Sequence, residues 1–261
     1  MNLARARAIR DVCTTPKELA GTATSLLLAF GLCFAALHGG TAKAECSTNH
    51  PLPGVTCYSD ARQDPPMRLF IAEVELTNPS VHVRVAPGGP DPDGPGRWQT
   101  TLMQPTRIAA REGLDLVVNG DFFYARGIKD AEGTNSAFHS AIWAGVTGPA
   151  VTDGKAWSTR TNASPCLVVH KDGKVTIEKL ARPGPDAWEV VAGNTMLIED
   201  GAPVPHKSKV RQPRTVVGLG AKGAMLVIMV VDGRKPGTAV GMSYEELALL
   251  SQLRLIFCVN P

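Results

Sequence analysis

The sequence predicts an α+β fold: a single domain whose large mixed or antiparallel sheet is partly covered by helices. Three observations predict it. Short apolar runs alternate with Gly- and Pro-centred turns along most of the chain, and 26 Gly and 20 Pro supply those turns. Capped helical patterning is confined to two short stretches. Hydrophobic residues at 44% and charged residues at 20% describe a folded chain, and 261 residues are enough to bury a core.

The first segment reads as a leader. Met1 to Ala44 carries Arg5, Arg7, Arg10, Lys17 and Lys43 against Asp11 and Glu18, then an apolar run from Leu26 to Leu37, then Ala42-Lys43-Ala44. A basic start, a short apolar middle and an A-x-A end predict a signal peptide cleaved after Ala44, and so an exported, periplasmic or secreted protein. A run of about a dozen residues is too short to anchor in a membrane, so no stable span is expected after cleavage. The formal charge of +3 belongs to this leader, and the remaining chain is near neutral. That removes the electrostatic basis for nucleic-acid binding. Cys46, Cys57, Cys166 and Cys258 remain after cleavage. Cys46 and Cys57 can close a short loop in an oxidising compartment, while Cys166 and Cys258 sit in apolar runs and read as buried thiols. No C-x-x-C spacing points to zinc, and neither a metal nor a cofactor is expected.

Residues 45–66 read as a Pro-punctuated lead-in to a domain spanning 67–261. Leu69 to Leu76 and the alternating Val81-His82-Val83-Arg84-Val85 predict a hairpin around Asn78-Pro79, with His82 facing solvent. Pro87 to Gly96 is a loop, in which Asp91 and Asp93 are turn residues. Thr106 to Glu112 predicts a helix stopped by Gly113. Leu114 to Val118 then predicts a strand that delivers Asn119-Gly120-Asp121-Phe122-Phe123 at its end. Lys171-Asp172-Gly173-Lys174 turns a hairpin over Val168 to Ile177, and Glu199-Asp200-Gly201 turns the chain after Thr195 to Ile198. Gly218-Leu219-Gly220-Ala221-Lys222-Gly223 has the dinucleotide-binding spacing, but the strand-like Met225 to Val231 follows it where a helix is required. It reads as a hairpin turn between Val216 to Gly218 and that run. Ser243 with Glu246 forms a capping box for a last helix bearing Leu247, Leu250 and Leu253, and Leu255 to Val259 closes as a strand.

No H-E-x-x-H, G-x-S-x-G or P-loop pattern is present. Polar groups instead stand at strand ends, in Asn119-Gly120-Asp121 and Val231-Asp232-Gly233-Arg234, where a scaffold presents a site. Separately, each also reads as an ordinary turn. In order, they continue through Gly193-Asn194-Thr195-Met196-Leu197-Ile198-Glu199-Asp200-Gly201 and Arg214-Thr215-Val216-Val217-Gly218, then Gly241-Met242-Ser243-Tyr244-Glu245-Glu246-Leu247-Ala248. This series resembles the phosphodiester glycosidase family, which includes the lysosomal enzyme that removes N-acetylglucosamine from mannose-phosphate diesters. Asp121 stands where the family usually has a second glycine. In the family the last helix leads to a strand and then to N-L-D-G-G-G-S; Cys258-Val259-Asn260 resemble the strand end that opens this motif, and Pro261 follows directly, so this reading has the domain lacking its C-terminal end.

The resemblance implies an exported hydrolase of glycosyl-phosphodiester bonds acting on envelope or exopolysaccharide material, with a carbohydrate or sugar phosphate as partner. The alternative is a non-catalytic carbohydrate-binding or inactive truncated relative. On the catalytic reading, Asp232 and Asp121 are candidates for acid–base work. His139 is either a further proton carrier or a surface-loop histidine. Arg214 and Arg234 would clamp phosphate, with Asn119 orienting hydroxyls and Gly120, Asn194 and Thr215 completing the substrate site.

Overall fold

The structure, a computed structural model, describes residues 7–8, 45–126, 141–158, 160–252 and 257–259. The expected leader lies outside them apart from the Arg7–Ala8 backbone (β1), which pairs in parallel with Leu116–Val117 (β6). His139 also lies outside the described residues.

The apolar runs form strands, as their composition requires. They assemble into several sheets, where the sequence predicted one. The largest has six antiparallel strands. Glu45–Leu52 (β2), Val55–Gln63 (β3) and Pro66–Glu75 (β4) make one side of it. Arg214–Gly220 (β16), Met225–Val231 (β17) and Phe257–Val259 (β18) make the other, in the order β18-β16-β17-β4-β3-β2. A five-stranded antiparallel sheet holds Ala150–Thr152 (β9), Lys155–Ala156 (β10), Ser164–His170 (β11), Val175–Leu180 (β12) and Ala187–Ala192 (β13), ordered β10-β9-β13-β11-β12. Thr100–Thr101 (β5), Trp143–Val146 (β8) and Phe123–Ala125 (β7) form a smaller sheet, and Ile198–Glu199 (β14) pairs with Ala202–Pro203 (β15).

Side-chain alternation sets the layers. Phe70, Ala72, Val74, Val217, Leu226 and Ile228 point from the six-stranded sheet into one cluster, which they share with Leu167 and Val175 of the five-stranded sheet. Leu69, Val216, Val227, Met229 and Val231 point the other way, into a cluster with Leu197, Ile198, Leu247 and Ala248. The helix Tyr244–Gln252 (α2) covers that second face. Its capping box forms as the sequence requires: Glu246 N–H donates to Ser243 Oγ at 3.2 Å, and Ser243 N–H donates to Glu246 Oε2 at 2.9 Å. Because β16 and β17 are covered on both faces, their sequences are nearly continuous apolar runs.

Three local expectations are corrected. The lead-in is a β2–β3 hairpin built into the large sheet, with Val55 and Cys57 buried in its core. Its register sets Cys46 opposite Asp60 and Asn49 opposite Cys57, and the Cys46 side chain lies outside the described residues. Val81 to Val85 joins no ladder, because both edges of its expected partner β4 are taken by β3 and β17. Its alternation still acts, since Val81 and Val83 pack on the core while His82 and Arg84 are exposed. Leu114 to Val118 shortens to Leu116–Val117. The helix Pro105–Glu112 (α1) ends as expected, at Gly113 with φ of 70°. Gly218 to Gly223 is the turn joining antiparallel β16 and β17.

Packing on the second face gives a direct comparison. Leu247 is fully buried and Leu249 is 59% exposed on the same helix. Leu247→Ala is expected to cost about 3 kcal/mol in urea unfolding, and Leu249→Ala less than about 0.5 kcal/mol.

Candidate functional site

The predicted site residues do not meet in one place. Consecutive residues of a strand point to opposite faces, so Arg214 and Thr215 enter different layers. Thr215, 2% exposed, lies on the side of Val217, and its hydroxyl donates to Asn119 Oδ1 at 2.7 Å. That bond ties the loop after β6 to the large sheet. Gly120 allows the same loop to approach β13: a Cβ there would lie 2.5 Å from Val191 Cγ2.

Asp121 follows in a left-handed conformation with φ of 51°. It is 7% exposed, and its oxygens accept from Phe122 N–H, Thr147 N–H, Thr147 Oγ1 and Gly148 N–H at 2.6 to 3.1 Å. This carboxylate pins the loop after β8 to the loop before β7. Burial pushes its pKa above the ordinary carboxylate value, outweighing those four donors.

A mainly apolar cavity of about 1060 Å³ adjoins Asn119, Gly120 and Asp121, with Val83, Leu116, Val118 and Ile228 among its walls. Neither Arg214 nor Asp232 lines it. Arg84, the one lysine or arginine among its described walls, is already paired with Glu112 and Asp153, so the chemistry of an anionic phosphate is better sought on the opposite face.

There, Arg214 is 5% exposed and its guanidinium carbon lies 4.1 Å from the centre of the Tyr244 ring. Arg214 Nη1 also donates to Tyr244 Oη at 3.2 Å, and Asn194 Nδ2 donates to the same oxygen at 3.4 Å. His206 packs against Tyr244 with ring centroids 5.2 Å apart. Val231 is the register partner of Arg214, so Asp232 comes next on the adjoining strand. Its oxygens accept from Gly233 N–H at 3.1 Å and pair with Lys235 Nζ at 2.9 Å. Arg234, in a left-handed conformation with φ of 58°, donates from Nε to Gln212 Oε1 at 2.9 Å. Arg214 and Asn194 thus meet at Tyr244, and Asp232 stands just past the end of the strand paired with β16, with Arg234 two residues further on.

Glycines close this end of the sheet. A Cβ on Gly233 would lie 2.7 Å from Pro213 N, and one on Gly241 would lie 2.3 Å from Gln212 O. Only glycine lets these two segments converge on residues 212–213, and Gly241 also has φ of 83°. The residue that sequence reasoning left out of the site is Tyr244. It directly follows the cap Ser243, and that position was its only signal. Lys235 and His206 carried none. Among the described residues, no three His, Cys, Asp or Glu side chains are placed to hold a metal.

A family model described as phosphodiester glycosidase matches residues 112–255, more than half of the chain. The chain belongs to that family. Among solved structures it is similar to the catalytic domain of zebrafish N-acetylglucosamine-1-phosphodiester alpha-N-acetylglucosaminidase, auto-inhibited there by its pro-peptide. That match has 15% identity and a TM-score of 0.46, and covers 84% of this chain and 69% of that one. It is also similar to a Burkholderia pseudomallei protein assigned as exported, with 12% identity and a TM-score of 0.46, over 75% of this chain and 67% of that one. No curated protein matches it. Among the described residues, no helix is long and apolar enough to cross a membrane.

The Asp121 environment makes a pH prediction. A carboxyl whose folded pKa is raised contributes stability that is present below the unfolded value and lost as pH rises through the folded one. The stability of the wild type relative to Asp121→Asn is expected to fall as pH rises above the ordinary carboxylate value in urea titrations. A difference that grows with pH would contradict this.

Proposed function

We propose that the chain is an exported hydrolase that cleaves a glycosyl phosphodiester at the sugar carbon, acting on envelope or exopolysaccharide material. The observation that carries this reading is a guanidinium fixed on Tyr244 at the start of β16, with the Asp232 carboxylate just past the end of its partner strand β17. A fixed guanidinium suits the planar, forked recognition of a phosphate group. Arg234 adds a second cation at the rim of the same end. Asn194 offers an amide for a sugar hydroxyl.

Hydrolysis at an anomeric carbon passes through an oxocarbenium-like state, which a neighbouring carboxylate stabilises or attacks. Asp232, held by Gly233 N–H and Lys235, takes that role. The departing phosphate monoester is a good leaving group, so little proton donation is required of the protein. Asp121, enclosed by four donors, is assigned to holding the Asn119 loop in place, and Asn119 to positioning the sugar.

The test is release of N-acetylglucosamine from an N-acetylglucosamine 1-phosphodiester. Asp232→Asn is expected to lower kcat by about 100-fold or more while the substrate still binds. Arg214→Lys is expected mainly to raise KM, because a lysine cannot make the forked contact. Wild-type binding without turnover would favour the non-catalytic alternative.

A further inference from the structure

Two groups of the described arginines differ in how their charge is held. Arg62, Arg84, Arg111 and Arg211 are each paired with a carboxylate. Arg97, Arg126 and Arg160 are exposed and form no ion pair among the described residues; each is instead stacked on an aromatic ring. Arg97 lies 5.1 Å from the Trp98 centroid and 5.6 Å from that of Tyr124. Arg160 lies 4.5 Å from the same Tyr124 ring, and Arg126 lies 4.4 Å from Trp143.

These groups share one face of the β5–β8–β7 sheet. Tyr124 is opposite Gly145 in the β7–β8 register, and Arg126 N–H donates to Trp143 O at the next position. Tyr124 and Arg126, two residues apart, therefore point the same way. Phe123 points to the other face, into the cavity. The face is built for this arrangement. A Cβ on Gly145 would lie 2.3 Å from Tyr124 Oη and 2.4 Å from its Cζ, so only glycine lets the tyrosine ring lie across the sheet. Tyr124 Oη then donates to Arg97 O at 3.1 Å, and Trp98 packs 5.4 Å from the Tyr124 ring. The carboxylate of Asp93 is nearby, and it accepts the backbone N–H groups of Arg97 and Trp98.

Stacking holds a guanidinium by its face and leaves its edge N–H donors directed outward. An aromatic base supports the charge without neutralising it, as a carboxylate would. Three such cations beside two tryptophans and a tyrosine offer forked donors for phosphates and apolar surface for sugar rings. The strand that carries Tyr124 begins two residues beyond Asp121, so the chain runs from the Asn119–Asp121 loop directly into this sheet. We propose that this face is a binding subsite for a glycan chain bearing repeated phosphate groups, so that the substrate is a sugar-phosphate polymer and not a single small diester. This substrate class rests on the hydrolase reading above, but the subsite is separate from Arg214 and Asp232.

The test is calorimetric titration of the full chain with an oligomer of repeating hexose 1-phosphate units, with dextran and inorganic polyphosphate as comparison probes. The wild type is expected to bind the oligomer more tightly than either comparison probe. The triple variant R97Q/R126Q/R160Q is expected to bind it about tenfold or more weakly. Turnover of the monomeric N-acetylglucosamine phosphodiester is expected to be unchanged in that variant. A second triple variant, R97K/R126K/R160K, keeps the charge but loses the stacked fork, and is expected to bind about threefold or more weakly than wild type. Equal oligomer affinity in wild type and the glutamine variant would overturn the proposal, as would polyphosphate or dextran binding as tightly as the oligomer. Oligomer binding in a wild type that turns over no phosphodiester would sink the hydrolase reading and leave the subsite standing.

Discussion

Strand β16 is buried on both faces, and a strand so placed must send consecutive side chains into opposite layers. Most of the site's organisation descends from that constraint. Thr215 points toward the five-stranded sheet, where its hydroxyl secures Asn119 at 2.7 Å. Arg214 points toward α2, where it is 5% exposed. A buried guanidinium is costly unless its charge and donors are met. Tyr244 supplies both a ring face and an oxygen, which requires α2 to begin where it does. The Ser243–Glu246 capping box sets that starting point. Gly233 and Gly241 let the neighbouring loops close against residues 212–213.

The same constraint divides the chemistry. The layer between the sheets is apolar and holds the large cavity, with the Asn119–Asp121 loop at its edge. The layer beneath α2 holds the fixed cation, with Asp232 at the end of the partner strand. Asp121 belongs to the first layer. Its carboxylate, raised in pKa by burial and surrounded by four donors, acts as a structural clamp. Two aspartates that look equivalent in a list of strand-end residues thus have different environments.

How much of this was legible in the sequence depended on the range of the interactions. Local features were readable: the Gly113 helix stop, the Ser243 cap, and the rejection of Gly218 to Gly223 as a nucleotide loop because a strand follows it. Strand pairing was less so. Val81 to Val85 has a strand's alternation and a strand's burial, yet it joins no sheet because β4 has no free edge. Residues 45–66 read as a lead-in because prolines punctuate them. They form an edge hairpin, and Pro51 falls within the irregular pairing between Asn49 and Leu52, where a missing N–H is tolerated. At the site, the family motifs marked Asn119, Arg214 and Asp232. Nothing local marked Tyr244 as the partner of Arg214, a contact across 30 residues, or of Asn194 across 50.

The central claim is that Arg214 and Tyr244 act as one unit in recognising a sugar phosphate. Calorimetric titration of N-acetylglucosamine 1-phosphate into wild type, Arg214→Lys, Tyr244→Phe and the double variant tests it most directly. The account predicts that each single change weakens binding and that the double change costs less than the two added together. The expected coupling is about 1 kcal/mol. Strictly additive losses, or affinity unchanged by either substitution, would contradict it.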